Sequence, residues 1–125
     1  MGLRLYYDPE CTNEITNENP DSIRKPTIFG ETLVTELEIY IKSDDITLIY
    51  ENISFTALND DAQVDVKYAL DKEGTPGEYH DELQLPDGVY HDPIRVWRKI
   101  SAPDVTAAFR RTDIQHSLNW DEYLL

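Results

Sequence analysis

The stretch from Leu33 to Phe55, LVTELEIYIKSDDITLIYENISF, constrains this chain more than any other. Leu33, Leu37, Ile39 and Ile41 fall at odd positions with Thr35 among them, while Glu36, Glu38 and Lys42 hold even ones. A strand sends successive side chains to opposite faces, so this spacing makes one apolar face and one wet face; a helix would mix the two sets. Ser43-Asp44-Asp45 reads as a polar joint, after which Ile46, Leu48 and Tyr50 resume the alternation. Two half-buried strands with a short polar joint predict a hairpin. A hairpin alone is marginal in water, so its apolar face demands a second layer. Beyond Tyr50 the apolar phase slips from even to odd, to Ile53 and Phe55. One extra residue at Glu51-Asn52, a β-bulge, would keep both sets inward; the other reading is two short strands bent between sheets.

The same period recurs along the chain. Leu3, Leu5 and Tyr7 predict a first strand ended by Asp8-Pro9. The polar stretch from Glu10 to Pro26 reads as a loop or arm, extending over 10–30, with room for a short strand near Ile15. Later runs are Val64, Val66, Tyr68 and Leu70; Leu83 and Leu85; Ile94, Val96 and Ile100, with Arg98 breaking the apolar phase; and Ile114, His116, Leu118 and Trp120. Between them lie Asn59-Asp60-Asp61, the turn-rich DKEGTPGEYHDE, Pro86-Asp87-Gly88 and Pro103. Val105 to Phe109 fits either one helical turn or an edge strand. About seven to eight strands with little helix predict an all-β fold, an Ig-like or jelly-roll-like antiparallel β-sandwich. The length of 125 residues suits a single domain over 1–125.

Composition narrows the partners. Eleven Lys and Arg against 25 Asp and Glu leave a net charge of −14. Such a surface repels phosphate backbones and anionic lipid, so neither nucleic acid nor membrane is expected as a partner. Solvation of a soluble surface, calcium sites, a basic partner and adaptation to high salt all fit the acidity. Eight Tyr against three Phe suit half-exposed sheet faces. Cys11 is the one cysteine, which excludes an internal disulfide and a cysteine zinc cage. MGLRLYYDPE has no apolar leader core, so synthesis in the cytosol without a cleaved signal is the expectation.

Residues that carry chemistry are sparse. His80-Asp81-Glu82 and His91-Asp92 set imidazoles beside carboxylates, but a zinc site from three scattered histidines needs a folding coincidence. His116 sits on the apolar face of its run and reads as a hydrogen-bonded core histidine. Asp44-Asp45 and Asp60-Asp61 lie at turns, where carboxylates either hold calcium or simply form the turn. No nucleophile elbow or phosphate loop is present, and Cys11 has no base near it in sequence. Asn52-Ile53-Ser54 matches a glycosylation triplet by chance, within a predicted strand. No catalytic residue, metal ligand or cofactor is therefore expected.

The cations are unevenly placed. Arg95, Arg98, Lys99, Arg110 and Arg111 lie within a short span of an acidic chain. Arg95, Trp97 and Lys99 fall opposite Ile94 and Val96. Trp beside Arg on an exposed strand face suits an interface; pairing with local carboxylates across strands suits the pattern equally.

A family layout overlaps these residues. ELEIYIKSDDITLIYENISF supplies an extended strand pair. Leu85-Pro86-Asp87-Gly88 is a leucine-turn-glycine element. Ile94-Arg95-Val96-Trp97-Arg98 leads through Lys99-Ile100-Ser101 to the small-Pro turn Ala102-Pro103, and Asp113-Ile114 opens the last strand. From about Thr32 to Trp120 this resembles small β-sandwich structural proteins of tailed viruses, bacteriophages among them: decoration, minor capsid or tail-associated subunits. The resemblance implies a non-enzymatic building block, made in the host cytoplasm and located in the virion. Its partners would be other virion proteins, including copies of itself, in an oligomer or lattice. The implied interface comprises Arg95, Trp97, Arg98, Lys99, Arg110 and Arg111, together with the arm from Glu10 to Pro26. A carbohydrate- or calcium-binding β-sandwich module, with Tyr and Trp as stacking platforms, is the alternative.

Overall fold

The structure, a computed structural model, describes residues 2–16, 21–25, 31–57, 65–105, 109–114 and 116–125, with the backbone path alone at 21–25, 31–34, 102–105 and 109–114. In chain order the strands are β1 (Leu3–Tyr6), β2 (Asp21–Lys25), β3 (Glu31–Ser43), β4 (Leu48–Ala57), β5 (Asp65–Lys72), β6 (Thr75–Pro76), β7 (Leu83–Leu85), β8 (Ile94–Val105), β9 (Phe109–Ile114) and β10 (His116–Leu124). A five-stranded sheet runs β1-β3-β8-β5-β6 and a three-stranded sheet runs β10-β4-β7, with β2 and β9 paired separately. All the pairings are antiparallel. The fold is the expected all-β sandwich, with no helix among the described residues.

Alternation explains the core. β1, β3, β5 and β8 turn Leu3, Leu5, Ile39, Ile41, Val66, Tyr68, Val96 and Ile100 inward; β4 and β7 answer with Leu48, Tyr50, Ile53, Phe55, Leu83 and Leu85. The Phe55 and Tyr68 rings stack across the two layers at 4.1 Å between centroids. The phase slip in β4 is a bulge. Asn119 faces Ser54 and Asp121 faces Glu51, so Asn52 and Ile53 together oppose Trp120. Asn52 takes a left-handed φ of 52°, and Leu48, Tyr50, Ile53 and Phe55 all stay buried.

The expected hairpin between β3 and β4 does not form. β3 bonds to β1 on one edge and β8 on the other, so neither edge is open to β4. Ser43 to Thr47 instead carries the chain from one sheet to the other. Ser43 Oγ donates to Asp45 O at 2.8 Å and meets Tyr50 OH at 2.6 Å, while Thr47 N donates to Asp45 Oδ1 at 2.8 Å. Ile46 therefore lies outside the alternation and is 74% exposed.

The remaining departures are local. Tyr50 and Tyr68, on the apolar sides of their runs, are wholly buried, although the tyrosine content suggested half-exposed faces. Within the described part of the arm, Asp21–Lys25 is β2, Glu14 bridges Tyr6, and Ile15 packs on the core. Val105 ends β8 and Phe109 begins β9, so the ambiguous run lies in strands, apart from 106–108 outside the described residues. The turn-rich loop contains a tight hairpin, in which Lys72 pairs with Thr75 and both Glu73 and Gly74 have positive φ. Gly2, at φ 127°, lies under Trp120, where an added Cβ would come 2.4 Å from the ring.

Candidate functional site on the outer sheet face

β3 and β8 pair Tyr40 with Arg95, Glu38 with Trp97 and Glu36 with Lys99, and β5 sets Ala69 against Trp97. Because each strand alternates, all of these side chains project from the outer face of the five-stranded sheet. Arg95 Nε donates to Tyr40 OH at 3.2 Å and lies 3.5 Å from Glu38 Oε2, and its NH1 is 3.8 Å from Asp71 Oδ1. Tyr40 OH donates to Glu38 Oε2 at 2.5 Å. Trp97 Nε1 donates to the same Asp71 oxygen at 2.9 Å. Asp71 thus bonds the indole and lies near the guanidinium, which Tyr40 bonds.

The loop before β7 adds a second cluster. Tyr79 OH donates to Glu36 Oε2 at 2.5 Å, and Lys99 Nζ stands 4.5 Å over the Tyr79 ring. Lys67 Nζ reaches Asp81 at 2.8 Å.

The electrostatics follow from this packing. Burial, then the Glu38 carboxylate, pushes the Tyr40 hydroxyl above its ordinary value. Burial, then Glu36, drives Tyr79 well above its own. Arg95 is held more firmly protonated, first by its bond to Tyr40. Both phenols thus stay neutral donors at physiological pH. The face joins Trp97 to two cations that lie over tyrosine rings, Arg95 over the buried Tyr40 and Lys99 over Tyr79, a grouping suited to recognition by aromatic contact and charge.

The expected interface residues divide. Arg95, Trp97 and Lys99 share the face, each half-buried. Arg98 does not: it points inward beside Val96 and Ile100, is 3% exposed, and donates from NH1 to Thr35 Oγ1 at 3.2 Å. A chain docking on the outer face cannot reach it there. Arg110 and Arg111 lie in β9 opposite Arg24 and Ile23, and their side chains fall outside the described residues. The local pairing weighed against the interface reading is real, since Arg95 and Trp97 both engage carboxylates. Pairing and docking are compatible, because it holds these groups in place.

Other candidates resolve simply. His116 Nδ1 lies 2.5 Å from Tyr68 OH, with its ring edge-on to Phe55 and Tyr68, a hydrogen-bonded histidine at the core margin. Asp44 bonds Arg4 Nε at 2.7 Å and Gly2 N at 2.5 Å, and Asp45 caps Thr47. These carboxylates hold turns and strand ends. Asp60-Asp61 lies outside the described residues. Among the described residues no group of three or more His, Cys, Asp or Glu side chains could hold a metal ion. Burial raises the Cys11 thiol above its usual value, which disfavours the thiolate.

The chain matches no known protein family, no curated protein and no solved structure.

Sequence reading missed Tyr40, Tyr79 and Asp71 as members of this face. Tyr40 had a signal, an aromatic on the wet side of β3. Asp71 sits at the end of the β5 alternation. Tyr79 comes from a loop, where no periodicity points to a face.

Proposed function

We propose that this chain is a non-enzymatic structural subunit of a virus particle, working by protein–protein assembly through the outer face of its five-stranded sheet. The observation that carries the assembly reading is the placement of Trp97 and Arg95 side by side on this face, the indole bonded to Asp71 and the guanidinium to Tyr40. Trp and Arg are the side chains that most often anchor interfaces, and anchors held in place before docking lose less entropy on binding. The virion assignment is supported by the resemblance of the stretch from about Thr32 to Trp120 to tailed-virus structural proteins. The test is incorporation. In purified particles of the virus that encodes it, the chain is expected as a stoichiometric component. Trp97→Ala should lower its content several-fold while the isolated chain stays folded. Full incorporation of Trp97→Ala would contradict the assignment of this face.

A second reading uses the same residues. Tyr79 and Trp97, both half-buried, beside Glu36, Glu38 and Asp71 also suit stacking and hydrogen bonding to a sugar. Titration with soluble polysaccharides, followed by tryptophan fluorescence, separates the two: a saturable change lost in Trp97→Ala favours sugar binding.

A further inference from the structure

Trp97 is half-buried on the outer face, which leaves its indole room to turn. Its cross-strand neighbour on β5 is Ala69, whose side chain is a single methyl group. Ala69 is wholly buried although its strand position faces out, and Trp97 Nε1 reaches Asp71, two residues further along β5. The indole therefore leans from β8 across Ala69 toward the end of β5. Strand side chains have more than one staggered rotamer open to them. The 2.9 Å bond from Nε1 to Asp71 Oδ1 selects the one seen here.

Asp71 is itself held. It pairs with Pro76 in the tight hairpin of β5 and β6, and its second oxygen, Oδ2, accepts from Gly74 N at 3.4 Å. The carboxylate turns one oxygen into the hairpin and the other toward the indole. Arg95 NH1 is 3.8 Å from the same Oδ1, beyond hydrogen-bond range.

The two tyrosines of this face are tied down in the same way. Tyr40 OH donates to Glu38 and Tyr79 OH to Glu36, both at 2.5 Å. The three ring donors thus end on the chain's own carboxylates, and a partner meets ring surface there. Tyr40 is buried, so its surroundings also hold it. Trp97 is more open, and its orientation depends more on the one bond.

We propose that Asp71 is a positioning residue for docking: it sets the indole of Trp97 in the orientation that the partner meets. This rests on the reading of the Trp97 face as an assembly surface. Without the bond the ring would be ordered only on docking, and affinity would fall by the entropy lost then.

The test uses the full chain and two readouts. One is water exchange of the Trp97 Nε1 proton by NMR, its signal assigned by its loss in Trp97→Ala. The other is association, by light scattering across concentration. Asp71→Ala should speed exchange several-fold and weaken association several-fold, with Trp97, Arg95 and Lys99 all still present. Asp71→Asn keeps an acceptor for the indole and gives up the charge, so both quantities should stay within about twofold of the parent. Trp97→Phe keeps a ring without the donor. In that background Asp71→Ala should change association by less than about twofold, because the bond it acts through is gone. Exchange that Asp71→Ala leaves unchanged would overturn the proposal. So would a full Asp71→Ala effect in the Trp97→Phe background. A loss in Asp71→Asn as large as in Asp71→Ala would also overturn it, assigning the effect to charge beside Arg95. Association lost in Trp97→Ala but kept in Asp71→Ala would overturn the role of Asp71 and leave the face standing. Association kept in Trp97→Ala would remove the face and this proposal with it.

Discussion

Asn52 shows how one residue carries a structural decision. It sits in the left-handed region at the β4 bulge, and its Nδ2 donates to Asp121 Oδ2 at 2.9 Å. Left-handed backbone costs most L-residues about 1–2 kcal/mol, Asn less, and glycine almost nothing. Asn52→Ala should therefore lower unfolding stability by about 1 kcal/mol, whereas Asn52→Gly should lie within about 0.5 kcal/mol of the parent in urea titrations. Equal losses would mean that the Asp121 bond, and not the backbone, makes the position what it is. Arg98 poses the opposite case, a cation expected at the surface and found in the core. Arg98→Ala removes buried packing and the Thr35 bond together, so it should cost roughly 2–4 kcal/mol. Arg95→Ala, at a half-exposed position, should cost under about 1 kcal/mol. Comparable losses would contradict the inward placement of Arg98.

At the scale of elements, alternation was the legible part. It placed β3, β4, β7 and β8, oriented Ile39, Ile41, Val96 and Ile100 correctly, and located the bulge from a slip of one position. It could not tell which strands pair. The joint at Ser43–Thr47 has the polar look of a hairpin turn, yet it crosses between sheets, because β1 and β8 compete for the edges of β3 from distant parts of the chain. The interface residues were legible in the same limited way: odd positions of β8 face out, but Arg98 shares parity with Val96. Tyr79 arrives from a loop that carries no period at all. The aromatic core was partly legible: Tyr50 and Tyr68 fell on the apolar sides of their runs, although the tyrosine content suggested half-exposed faces, and only the structure shows how buried tyrosine is accommodated. Its hydroxyls are satisfied inside: Tyr50 meets Ser43, Tyr68 meets His116, and Tyr90 OH donates to Pro86 O at 2.6 Å. Tyr68→Phe leaves the His116 nitrogen without that partner and should cost about 1–2 kcal/mol. A neutral result would imply that water replaces the hydroxyl at no loss.

For the whole molecule, the buried tyrosines set an alkaline limit. Burial pushes Tyr90 up to about 12, and burial raises Tyr6, Tyr40 and Tyr50 above 10 as well. Their folded pKa values exceed those of the unfolded chain, so their contribution is intact below pH 10 and is lost as pH rises toward 12. Urea midpoints should fall between about pH 10 and about pH 12, with phenolate absorbance appearing together with unfolding. Gradual titration of all the tyrosines without unfolding would contradict their burial.

The claim that matters most is that the Trp97 face joins one chain to another. Light scattering of the purified chain across concentration tests it most directly, beside Trp97→Ala. The account predicts a mass that rises above the 14.5 kDa monomer with concentration, and a variant that stays monomeric while still folded. A strict monomer throughout, or growth that Trp97→Ala leaves untouched, would contradict it.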